Sequence, residues 1–132
     1  MSGAPLHKKL RLEAGQTAVV INCPVDYTTI VNPLPEGIEI SVRSDDDADF
    51  VHLFVRDRSE LLDFIDEALN AVKFDGLLWI SYPKGSSEVD TDINHDSMWE
   101  LLLKKGIRPV TQISVNATWS AIRFRPEDRV GA

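Results

Sequence analysis

The sequence predicts a layered α/β domain: a mostly parallel sheet of about six strands, flanked by helices and closed by a carboxyl-terminal antiparallel hairpin. Three observations carry that expectation. The runs TAVVIN (17–22), DFVHLFV (49–55) and LLWISY (77–82) are apolar almost throughout, as strands covered on both faces are. Helix-like patterns alternate with them. The last two extended runs, 107–115 and 119–124, are joined only by Asn116-Ala117-Thr118, which leaves room for a hairpin turn and nothing longer.

The elements follow in order. Residues 1–15 start polar with His7, Lys8, Lys9 and Arg11, and Leu6, Leu10 and Leu12 make one short amphipathic turn. Both ends, 1–15 and 126–132, are expected to be less ordered. Glu13-Ala14-Gly15-Gln16 turns into the first strand, which Cys23-Pro24 breaks. Asp26 caps a short helix through Tyr27, Ile30 and Val31, which Pro33 and Pro35 stop. A second strand occupies 38–42, and Arg43-Ser44-Asp45-Asp46-Asp47 is a solvated connection. After the third strand, Asp57 or Ser59 caps a helix whose apolar stripe is Leu61, Leu62, Ile65, Ala68, Leu69 and Val72. Asp75-Gly76 is expected to end it and lead into the fourth strand. Asn94 or Asp92 caps a further helix with Met98, Trp99, Leu101 and Leu102, and Gly106 supplies its left-handed stop.

Bulk properties narrow the function classes. With 132 residues the chain is expected to form one domain, and its net charge of −7 argues against a nucleic-acid backbone or an anionic membrane surface as partner. Cys23 is the only cysteine, so neither an internal disulfide nor a cysteine zinc site is available. No signal-peptide or membrane-helix pattern occurs, which makes the cytoplasm the expected compartment. Oligomeric state is not legible.

The strand runs AVVIN, DFVHLFV and GLLWISYPK, with ATWSAIRF in the closing hairpin, resemble a truncated class I methyltransferase, a Rossmann-like three-layer sandwich. LPEG (34–37), WISYPKGSS and TWSAIRF together also resemble a family of small bacterial proteins of uncharacterised activity, over most of the chain from Pro5 to Arg125. The first resemblance implies an S-adenosylmethionine site at a glycine-rich turn after the first strand. Here that turn reads Asn22-Cys23-Pro24-Val25-Asp26, with no glycine between Gly15 and Gly37. Backbone approach to a ligand needs glycine there, and proline removes an amide donor. Asp45 stands at the spacing of a ribose-binding acid, but beside Asp46 and Asp47 it reads as solvated. One strand–helix unit of the full methyltransferase fold is also missing. No cofactor is therefore expected, and the leading reading is a non-catalytic Rossmann-like binding or regulatory module, with an unidentified protein as partner.

The alternative is a small-ligand or transferase-like site for an anionic or polar molecule. Ligands of parallel sheets sit outside the carboxyl ends of the strands. That edge is expected to gather Arg56, Lys84, Ser86, Ser87, Asn116, Thr118 and Trp119, with hydroxyl donors, one ammonium charge and a flat indole wall. Lys84-Gly85-Ser86-Ser87 is not a P-loop, because its lysine precedes the glycine. The run 90–96 imitates a calcium loop, but His95 stands where the turn glycine belongs and Leu101 where the bidentate glutamate belongs. His52 is expected near Val19, about 13 Å from Cys23 at the usual strand rise, too far for a nucleophile and its base. It therefore reads as a hydrogen-bonded core residue.

Overall fold

Local chemistry sets each element in the computed structural model, which describes residues 5–31, 34–41, 47–85 and 91–129. Strands β1 (Thr17–Ile21), β2 (Glu39–Ser41), β3 (Ala48–Phe54), β4 (Val72–Pro83), β5 (Ile107–Ser114) and β6 (Trp119–Pro126) form one sheet in the order β2-β1-β3-β4-β6-β5. The pairs β1–β2, β1–β3 and β3–β4 are parallel. β6 pairs antiparallel with both β4 and β5, so it is the single reversed strand, one position in from the edge. This is the methyltransferase-like α/β Rossmann architecture that the sequence predicts.

The helices are α1 (Leu6–Lys9), α2 (Tyr27–Ile30), α3 (Arg58–Ala71) and α4 (His95–Leu103). Asp57 caps α3 by accepting from the Glu60 amide at 2.9 Å. Asn94 caps α4 in a reciprocal box with Ser97. Asp92 accepts from the Arg58 amide at 2.8 Å and so ties the two helix starts together. Of the calcium-like run, Asp92 and Asn94 thus spend oxygens on helix ends, while Thr91 accepts from the Ile93 amide and Asp96 stays exposed. Asp45 lies outside the described residues.

Because strand side chains alternate, the sheet carries two cores. On one face Val51 and Leu53 of β3 and Ile122 and Phe124 of β6 meet Leu61, Ile65 and Ala68 of α3 and Met98 and Leu102 of α4. On the other, Phe50, Phe54, Trp79 and Ala121 lie under Leu10, Leu12 and Tyr27. α1 and α2 are four residues each, so the second face is covered more by loop than by helix.

Two expectations need correction. α3 ends at Ala71 and β4 starts at once with Val72, whose φ/ψ of −79°/137° is already extended. Val72 pairs with Ala48 and Leu77 with Phe50, so 73–76 bulge out of the strand; Asp75, at φ 57°, is held there by two 2.9 Å bonds from Arg125. Asp75-Gly76 is therefore a bulge, not a helix stop. Within the described part of the two ends, Leu10 and Leu12 are buried, Pro126 lies in β6, and the Glu127 amide bonds Gly106. Finally, His52 pairs with Val20 rather than Val19.

At Gly76 an added Cβ would sit 2.9 Å from Val72 Cγ2 and 3.1 Å from the Lys73 carbonyl. Gly76→Ala is expected to destabilise the chain by about 1–3 kcal/mol through overpacking. Chemical denaturation measures it, and an unchanged midpoint would mean that the bulge is slack.

Candidate functional site

From β1 the chain runs outward to β2, then returns across the sheet to β3 on the other side of β1. This makes the junction of β1 and β3 the topological switch point, where open α/β sheets place ligands. Asn22 ends β1 in the left-handed region at φ 58°, which asparagine tolerates better than most residues. Its side-chain amide donates to the Phe54 carbonyl at 2.9 Å and ties the two strand ends together. Cys23 and Pro24 follow, and Asp26 caps α2 through the Thr28 amide at 3.0 Å. The crevice over this junction has a volume of about 180 Å³ and is lined by Asn22, Cys23, Pro24, Phe54, Arg56 and Trp119. A second depression of about 420 Å³, lined by Val20, Val25, Asp26, Tyr27 and Ile40, shares only Asn22 and Cys23 with it.

Arg56 forms one wall, yet its charge is already engaged. Its guanidinium meets Glu60 at 2.7 Å, and its backbone amide bonds the same carboxylate at 2.7 Å. These bonds hold the Glu60 carboxyl below its ordinary range and raise Arg56. Trp119 is 6% exposed, with its ring edge-on to Phe54 at 5.4 Å. It belongs to the core and also lines the crevice. Burial pushes the Cys23 thiol up, which disfavours the thiolate a nucleophile needs.

Beneath the crevice lies a buried polar chain. His52 Nδ1 meets the Tyr27 hydroxyl at 2.7 Å and Nε2 meets Ser81 Oγ at 2.6 Å. A neutral imidazole satisfies both bonds, donating from one nitrogen and accepting at the other. Full burial pulls the His52 pKa down to about 3, and burial pushes Tyr27 above the ordinary tyrosine range. Both ring nitrogens are committed, so His52 is a hydrogen-bonded core residue, as its sequence position suggested.

Of the residues expected at this edge, Arg56 and Trp119 come together. Lys84 turns the other way: its amide bonds the Thr118 carbonyl at 2.8 Å and its ammonium reaches Ser114 Oγ on β5 at 2.6 Å. Asn116 Oδ1 accepts from the Thr118 and Trp119 amides, each at 2.9 Å, and so builds the hairpin turn. Thr118 contributes its carbonyl to Lys84. Ser86 and Ser87 lie outside the described residues. Sequence reasoning read Asn22 to Asp26 as the turn at this edge but missed the Asn22 bond to Phe54, and it missed Glu60 as part of the site. The Arg56–Glu60 spacing of four, across a helix start, was a usable signal for the clamp.

Among the described residues no three His, Cys, Asp or Glu side chains converge to hold a metal, and no helix is long and apolar enough to cross a membrane. No protein-family model matches the chain, and no curated protein matches it by sequence. Solved structures do. A SAM-dependent methyltransferase from Aquifex aeolicus is similar with a TM-score of 0.56 at 14% identity, over 90% of this chain and 86% of that one. DhpI in complex with SAH gives 0.63 at 12% identity, over 94% and 83%. A putative type 11 methyltransferase from Sulfolobus solfataricus gives 0.59 at 8% identity, over 96% and 92%. At such identities the likeness is one of fold, and the fold of this chain is a truncated methyltransferase-like Rossmann fold.

Proposed function

We propose that the protein is a non-catalytic methyltransferase-like module that acts by binding a partner rather than by turning over a substrate. The observation that carries this reading is the bridge from Asn22 to the Phe54 carbonyl across the switch point. It stands where a cofactor of this fold would need open backbone donors, and Pro24 removes one donor nearby. The crevice of about 180 Å³ falls below the roughly 300 Å³ at which sites for drug-sized ligands begin. Asn22 and Cys23 line both it and the depression of about 420 Å³ beside it. The residues present do not fit S-adenosylmethionine. His52 and Cys23 do not act as a base and nucleophile here: both ring nitrogens of His52 are bonded, and burial raises the Cys23 thiol.

A second reading keeps a small polar ligand in the crevice, favoured by the meeting of Arg56, Trp119 and Cys23 along one wall. Thermal unfolding with S-adenosylmethionine and S-adenosylhomocysteine separates the readings. A ligand at about 100 times its dissociation constant adds roughly 2.7 kcal/mol, several degrees for a domain of this size. The expected result is no shift with either compound. A shift that disappears in Arg56→Ala would replace the binding-module reading with the ligand-site reading.

A further inference from the structure

Helix α1 ends in a stop of the kind glycine usually makes, with arginine in glycine's place. The Leu12 amide bonds the His7 carbonyl at 2.8 Å and the Arg11 amide bonds the Lys8 carbonyl at 3.1 Å, the paired bonds of a left-handed helix end. Arg11 takes the positive φ that this end requires, at 62°, where any residue with a Cβ is strained. Surrounding bonds hold it there. The Trp79 indole donates to the Leu10 carbonyl at 2.8 Å, and Gln16 Nε2 donates to the Arg11 carbonyl at 3.4 Å. Strain kept in place at a non-glycine position points to a use for the side chain. Arg11 lines a cleft of about 470 Å³ with His7 and Lys8, over Leu12, Ala14 and Pro35, and Glu13 is the one carboxylate on its wall. That volume falls in the range of small-molecule sites, roughly 300–1,000 Å³. Lys8 and Arg11 are exposed, and among the described residues no ion pair engages His7, Lys8, Arg11 or Glu13. The carbonyls of His7, Lys8, Leu10 and Arg11 all accept bonds, so the helix end turns little negative charge towards the cleft. In a chain of net charge −7, two cations on one partly apolar cleft stand against the average.

We propose that this cleft binds a small organic anion, with its phosphoryl or carboxylate head on Lys8 and Arg11 and its apolar body on Ala14 and Pro35. A guanidinium offers two parallel donors to two oxygens of such a head, and an ammonium adds a point charge. His7 contributes a ring N–H donor. Glu13 opposes the head from its side of the cleft. The site belongs to α1 and the turn before β1, apart from the switch-point crevice, and does not depend on the reading of it.

The test is an NMR titration of the ¹⁵N-labelled full chain at fixed low ionic strength, since exposed charges are screened by salt. Phenyl phosphate is added in one series and benzoate in another, with benzyl alcohol as the uncharged control. The expected result is saturable movement of the His7, Lys8, Arg11 and Ala14 amides with at least one of the two anions, and none with the alcohol. Tighter saturation by phenyl phosphate assigns a phosphoryl head, and tighter saturation by benzoate assigns a carboxylate. Arg11→Gly suits φ 62° and is expected to keep or raise the thermal midpoint while weakening binding roughly tenfold or more, so the loss reads the side chain and not the fold. Lys8→Gln is expected to weaken binding as well, and Glu13→Gln to tighten it severalfold. Absence of saturation with both anions, an equal response to the alcohol, or undiminished affinity in Arg11→Gly would overturn the proposal. Movement confined to Asn22, Cys23 and Arg56 would overturn it too, since that would place the anion in the crevice.

Discussion

His52→Ala is expected to lower stability by about 3–5 kcal/mol, because it leaves a cavity and strands two buried hydroxyls at once. The Tyr27 and Ser81 hydroxyls each lose their bond to the ring, and neither side chain can turn to water. The same residue sets an acid limit on stability. Its folded pKa of about 3 lies below the ordinary value of 6.5 in the unfolded chain. Below about pH 6.5 the unfolded chain therefore takes up a proton that the folded chain refuses. Stability falls by up to about 1.4 kcal/mol per pH unit on the way down towards pH 3, and above pH 6.5 the contribution is fully present. Urea midpoints at pH 7 and pH 5 read this window while the carboxylates stay largely ionised. His52→Gln, which keeps a polar group in place, is expected to flatten the slope. An equal slope in both proteins would mean that His52 titrates in the folded state.

Trp79→Ala is the second large effect, at about 3–5 kcal/mol for a buried aromatic. Trp79 is 1% exposed and sits at the centre of the face that α1 and α2 cover thinly. Its indole also carries the bond that docks the 5–12 segment, so the loss is expected to be local as well as global. Hydrogen exchange at the Leu10 and Leu12 amides should rise out of proportion to the fall in stability. Trp79→Phe separates the two parts: it keeps most of the packing, removes the donor to the Leu10 carbonyl, and is expected to cost about 1–2 kcal/mol. If the exchange of 5–12 were unchanged in both variants, the amino-terminal segment would be held by Leu10 and Leu12 burial alone.

Strand runs and helix caps were legible because each is written in a few adjacent residues. The apolar 49–55 run makes a central strand, and Asp57 and Asn94 cap where short polar residues precede apolar stripes. The start of β4 was not legible. Val72 continues the spacing of Leu61, Ile65, Ala68 and Leu69, yet it packs on the same core from an extended backbone, so helical periodicity overran the boundary. Side-chain direction at the sheet edge was harder still. Both Lys84 and Arg56 stand at the carboxyl end, but one reaches Ser114 across the hairpin and the other folds back on Glu60. Sequence spacing places the backbone of each and says nothing of those torsions. Asn22 closes the crevice through one long-range bond to a backbone carbonyl, a contact that no local pattern encodes.

On the proposed reading, the switch point of this methyltransferase-like fold is closed by its own side chains. An NMR titration of the ¹⁵N-labelled chain with S-adenosylmethionine tests it residue by residue. The amides of Asn22, Cys23 and Arg56 and the indole signal of Trp119 are expected to stay in place as the compound is raised into the millimolar range. Saturable movement of those four signals together would contradict it, since the Asn22 bridge would then have to open for a cofactor.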